Sequence, residues 1–278
     1  MTDLPPADGL EAPRREPIFA VPSVVVALIV ALIVAYAVFD FLPPATQDAA
    51  LGLFAFQPGR LTLAFWPQRL SELIAQAGSD PNALAEARLL RHYHSVPGAA
   101  QPWTLLSYAF MHGSWTHVLL NSVWLVAFGP PVARRFGGPR FLAFFALTAV
   151  AGALTHWAFY QMDFAPLIGA SAADSGMMAA ATRFIFEPGG PLGSSQGYSL
   201  SAGEADPLRP APPLAQLLRQ RRPLGFIAIW MATNVVFGAG AQALGASDAP
   251  IAWIAHVGGF VAGLLAFPLF DRAPAQGR

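Results

Sequence analysis

An all-α, polytopic membrane fold follows from three features of the sequence. Apolar residues make up 55% of the chain, charged residues only 12%, and several runs of about 20 residues carry almost no charge. A lipid-spanning helix needs such runs, whereas a soluble core does not. The formal net charge is zero, with sixteen arginines and no lysine, so no basic surface points to nucleic acid. Cysteine is absent, which excludes disulfides, thiol nucleophiles and cysteine metal sites. Arginine without lysine, beside abundant Ala, Gly and Pro, hints at a GC-rich bacterial genome and hence a bacterial inner membrane.

Six spans are expected, at 21–41, 115–128, 141–159, 168–186, 224–244 and 251–270, forming a membrane domain over 21–271 between tails at 1–20 and 272–278. The first contains Ala35-Tyr36-Ala37, which resembles a signal-peptidase site, but its apolar stretch is long and continues past that point, favouring an uncleaved helix. Residues 43–111 form a long outer loop. Its tract "LGLFAFQPGRLTLAFW" is interrupted by Pro58 and Arg60 and suits the membrane interface, and two short amphipathic helices broken at Gly-Ser-Asp-Pro follow it. The stretch 187–223, rich in Pro, Gly and Ser, reads as a cytoplasmic linker.

Arginine placement orients the chain. With the N-terminus inside, Arg14, Arg15, Arg134, Arg135, Arg140, Arg183, Arg209, Arg219, Arg221, Arg222, Arg272 and Arg278 fall on the cytoplasmic side. Only Arg60, Arg69, Arg88 and Arg91 remain outside, all in one long loop whose charges count for little in the rule. Both termini are therefore expected in the cytoplasm.

Three spans then run from outside to inside, and each opens with polar residues at similar depth. "HGSWTHVLLN", residues 112–121, places His117 and Asn121 four apart on one helix face, with His112 in the turn before them. "PLIGASAADSGMM", residues 166–178, sets Ser171 behind the small residues Gly169 and Ala170, near a helix N-terminus with unpaired N–H groups. "WIAHVGGFVAG", residues 253–263, carries His256 above the small-residue face Gly259 and Gly263, which lets helices approach closely. Ionisable groups at that depth face a bundle interior or a watery cavity. A serine needs a base to become a nucleophile, and neutral histidine is suited to take its proton. The Ser171 N–H, the Asn121 amide and His117 can stabilise the developing oxyanion. Asp174 shares roughly the Ser171 face, and two readings of it stay open: it orients His256 or water, or it bonds nearby backbone or Ser175. His156, beside Trp157, is expected at the membrane interface.

These three motifs, in this order and on these spans, resemble the rhomboid family of intramembrane serine proteases from about Trp103 to Gly263. The resemblance implies a six-helix bundle, Ser171 as nucleophile, His256 as general base, His117 and Asn121 as oxyanion stabilisers, and His112 supporting the site. It also implies transmembrane-protein substrates in a lipid bilayer, access between the second and fifth spans, and no metal or nucleotide cofactor. The short outer connection 245–250 is the natural lid. Departures from the family pattern are Ala172, where Gly commonly follows the serine, Trp103-Thr104 in place of Trp-Arg, and Ala133 at a commonly acidic position. A zinc protease would need a histidine pair accompanied by Glu, and an aspartic protease a second intramembrane carboxylate; neither pattern is present. The alternative function is an inactive relative that binds membrane proteins for degradation or trafficking, but such relatives commonly lack the nucleophile or base.

Overall fold

In a computed structural model, residues 21–77, 81–82, 100–187, 192, 210–243 and 252–271 are described. All regular elements among them are helices: α1 (Ser23–Asp40), α2 (Pro44–Phe54), α3 (Pro58–Phe65), α4 (Arg69–Ala77), α5 (Thr104–Ser107), α6 (Trp115–Phe136), α7 (Gly138–Phe159), α8 (Ser171–Thr182), α9 (Leu214–Leu217), α10 (Arg221–Ala243) and α11 (Trp253–Phe270). Four of these, α1, α6, α7 and α11, are long and apolar enough to cross a membrane, and the chain is an integral membrane protein. The six expected spans thus divide. α10 has 23 residues, whereas α8 has only 12, about 18 Å against a hydrocarbon core of roughly 30 Å. The tails at 1–20 and 272–278, most of the linker and the expected lid lie outside the described residues.

α6 begins where Ser114 caps it, its Oγ accepting from the His117 N–H at 3.1 Å. The second span is expected to end at residue 128, yet the helix continues through Gly129, Pro130 and Pro131 to Phe136. Proline removes one helical hydrogen bond, and membrane helices tolerate this where neighbours pack closely. Here Gly129 lies against Val25 of α1, and Pro130, Val132 and Ala133 are buried. The helix stops at Gly137, whose φ of +77° suits a residue without a side chain, and α7 starts at the next residue.

The far end of this hairpin is bolted to α11. Arg135, 3% exposed, makes a two-pronged ion pair with Asp271 at 2.8 Å for both bonds, and its guanidinium lies over Phe184 and Phe267. Arg183 donates to the Leu264 and Pro212 carbonyls. Through that second bond and the buried Leu217 of α9, residues 210–217 pack on the bundle.

At the opposite end, the loop elements brace the approach to α8. The Trp103 indole donates to the Leu53 carbonyl at 2.8 Å and the Ser107 hydroxyl to that of Phe54 at 2.7 Å. Where the family pattern expects an arginine after Trp103, Arg60 of α3 holds the loop, donating to the Gly52 carbonyl and the Gln101 side chain. Phe56 and Leu167 exchange two backbone hydrogen bonds, which fixes the segment leading into α8 against the loop.

Candidate active site

The chain turns into α8 through Gly169, whose N–H donates to the Tyr108 carbonyl at 3.0 Å. Its φ is +110°, and a side chain there would strike the His117 ring, with the Cβ 2.6 Å from Nε2. Glycine is therefore required twice over, by conformation and by space. His117 of α6 lies directly over this turn, and Ser171 follows it as a half-buried first residue of α8. The first-turn N–H groups of a helix have no intrahelical acceptor and point toward any anion placed there.

Two glycines set the register between α8 and α11. A Cβ on Gly259 would lie 2.7 Å from the Ala172 carbonyl carbon and closer still to its oxygen, and one on Gly263 would lie 2.5 Å from the Gly176 oxygen. The helices are thus parallel and touch backbone to backbone, four residues on one matching four on the other. His256, three residues before Gly259, therefore stands within a turn of the level of Ser171. Ala172, the departure from the family glycine, has its space supplied from α7: a Cβ on Gly152 would come within 2.5 Å of the Ala172 methyl. His156, in the last turn of α7, is buried and packs on Tyr160 with ring centroids 4.8 Å apart.

His256 also faces α10. Its Nδ1 lies 2.8 Å from Asn234 Oδ1, while Asn234 Nδ2 donates to the Trp230 carbonyl at 2.9 Å. The Trp230 indole stacks on Phe260 at 4.1 Å, one turn along from that contact. Sequence reasoning missed Asn234, although an amide inside the run "IWMATNVVF" must find a partner in an apolar setting and was a usable signal.

A second buried network lies beneath His117. The amide of Asn121 is oriented by its neighbours: Oδ1 accepts from His112 Nε2 at 2.9 Å and from the Ala170 N–H at 3.3 Å, and Nδ2 donates to Asp174 Oδ2 at 3.2 Å. Burial, reinforced by the nearby His117, pushes the His112 imidazole down to about 4, so it is neutral and has one N–H to give. Its ring meets His117 edge to face, with centroids 5.0 Å apart. Asp174 is fully enclosed, and Asn121 is its hydrogen-bond partner, which neither reading of that carboxyl anticipated. Ser175 instead donates to the Ser171 carbonyl of its own helix at 2.8 Å.

The expected residues thus gather at one end of the bundle. Gly169 and Ser171 form the turn, His117 lies against it, Asn121 and His112 lie below, and Gly259 and Gly263 set the helix bearing His256 against α8. Among the described residues no group of three or more His, Asp or Glu side chains is arranged to hold a metal ion. Positions 245–250, His92 and His94 lie outside the described residues. Residues 99–189, which span α5 to α8, match the family model described as Rhomboid domain. No curated protein matches the chain.

Proposed function

We propose that this chain, a rhomboid-family membrane protein by its match over residues 99–189, is an intramembrane serine protease that hydrolyses peptide bonds in or near transmembrane segments of other membrane proteins. The observation that supports the reading is the parallel, backbone-to-backbone contact of α8 and α11, with His256 within a turn of the level of Ser171. The family match ends before α11, so the base is assigned on the motif around His256 together with this geometry. In this reading α8 and α10 complete a six-helix set. The arginine distribution puts both termini inside and the Ser171 end outside.

The chemistry runs as acyl transfer. His256 Nε2 takes the Ser171 hydroxyl proton as Oγ attacks the substrate carbonyl carbon. Negative charge then develops on the carbonyl oxygen, and the Ser171 N–H and a His117 N–H stabilise it. Asn121 is the expected third donor; its amide already gives one N–H to Asp174, and this role would use the second. Collapse breaks the C–N bond, with the His256 proton passing to the leaving amine. Water, deprotonated by the same imidazole, releases the acyl group.

The test is cleavage of a single-pass model substrate in proteoliposomes by the intact protein and by folded Ser171→Ala and His256→Ala variants. Cleavage by the first alone, with Ser171 labelled by a fluorophosphonate, supports the assignment. No cleavage across several substrates together with no labelling moves the client-binding alternative ahead.

A further inference from the structure

We propose that Asn234 is a positioning residue for His256, the third member of a Ser171–His256–Asn234 relay that spans α8, α11 and α10. The inference rests on His256 being the general base.

The amide can face the ring in only one way. Its NH2 is committed to the Trp230 carbonyl, so the atom presented to His256 is Oδ1, which has lone pairs and no proton. His256 Nδ1 must then carry the hydrogen, and a neutral imidazole so fixed has its free lone pair on Nε2, the nitrogen a base would use. When Nε2 takes a proton, the Nδ1–H···O bond becomes charge-assisted and strengthens. An interaction that is stronger after proton transfer than before it lowers the barrier to transfer.

Packing holds the amide in place. Three contacts climb the α10–α11 pair in antiparallel register: Trp230 on Phe260, Asn234 on His256, and Gly238 against Trp253, where a side chain on the glycine would collide with the indole. Asn234 sits between an aromatic stack and a close helix contact, each about one turn away. It satisfies a buried ring nitrogen with its acceptor and its own helix with its donor, an arrangement that a helix surface with no such duty would not need.

The experiment compares wild type with Asn234→Ala and Asn234→Asp in proteoliposomes, using one single-pass substrate. It is paired with 15N NMR of histidine-labelled protein in lipid, the His256 signal being assigned by its loss in His256→Gln. Asn234→Ala should lower kcat about 10- to 100-fold with KM within about twofold. It should also convert the His256 signal from the Nδ1–H tautomer to a mixture. Asn234→Asp, whose carboxylate also accepts from Nδ1–H, should restore the tautomer and most of kcat. Unchanged kcat and tautomer in Asn234→Ala would overturn the proposal. So would an Nε2–H tautomer in wild type, or a loss of rate that follows melting temperature and is not rescued by Asp. If wild type cleaves nothing yet the tautomer follows residue 234, the tie stands and the protease reading fails. If wild type and Asn234→Ala cleave alike, the reverse holds.

Discussion

Gly259→Ala adds one methyl group at the contact that aligns the proposed base and nucleophile. The added carbon would sit 2.7 Å from the Ala172 carbonyl carbon. Carbon atoms in ordinary contact lie about 3.5–4.0 Å apart, so α11 and α8 must part by about 1 Å. Neither side of the clash is a flexible side chain, and only movement of a helix relieves it. Overpacking of this kind costs about 1–3 kcal/mol. For a chain of this size that is roughly 3–10 °C in melting temperature. The catalytic effect should be larger, because misplacement by about 1 Å can cost on the order of 100-fold in rate. Intrinsic fluorescence melting and the rate of fluorophosphonate labelling of Ser171 read the two effects separately. Gly225→Ala is the matched control, since nothing lies within 4 Å of its added carbon, and it should leave both readouts unchanged. A Gly259→Ala protein with wild-type melting and labelling would refute the argument from helix contact.

Two further outcomes follow from neighbouring contacts. Gly152→Ala should destabilise the bundle by about 1–3 kcal/mol by striking the Ala172 methyl. Adding Ala172→Gly should recover part of that loss, leaving less than the sum of the two single changes in a melting double-mutant cycle. Asp174→Ala leaves the Asn121 amide donor without its partner and should cost about 1–3 kcal/mol, while Asp174→Asn, which keeps an acceptor oxygen, should melt close to wild type.

The long apolar helices were legible because their signal is local. α1 and α7 lie close to the expected 21–41 and 141–159, and α11 begins two residues after the expected 251. Errors arose where packing overrode a local rule. α6 runs through Pro130 and Pro131 where α1 packs against it, and α8 is shorter than expected at both ends because residues 168–170 and 183–186, apolar or small apart from Arg183, are not α-helical. Motif spacing put His117 and Asn121 on one face of α6, and Gly169 and Ser171 in the turn that opens α8, because each pair belongs to one segment. Partners across helices were not readable in this way. Asn234 facing His256, Asn121 facing Asp174 and Gly152 facing Ala172 depend on the rotation of one helix against another, which no single segment records.

α8 has no side turned to lipid. From Ala172 to Thr182 every side chain is buried, while α1, α2, α3, α6, α7, α10 and α11 all carry exposed large apolar side chains. A helix diffusing in the bilayer therefore collides with the perimeter and never with the segment that carries Ser171. Under the protease reading, a peptide reaches that serine only after several of its residues have left the helical state, so the enzyme samples the helix–coil equilibrium of its clients. A segment whose unwinding costs about 1.4 kcal/mol less is presented roughly ten times as often. Selection among membrane proteins then acts on how readily a helix frays, before any pocket has touched a side chain.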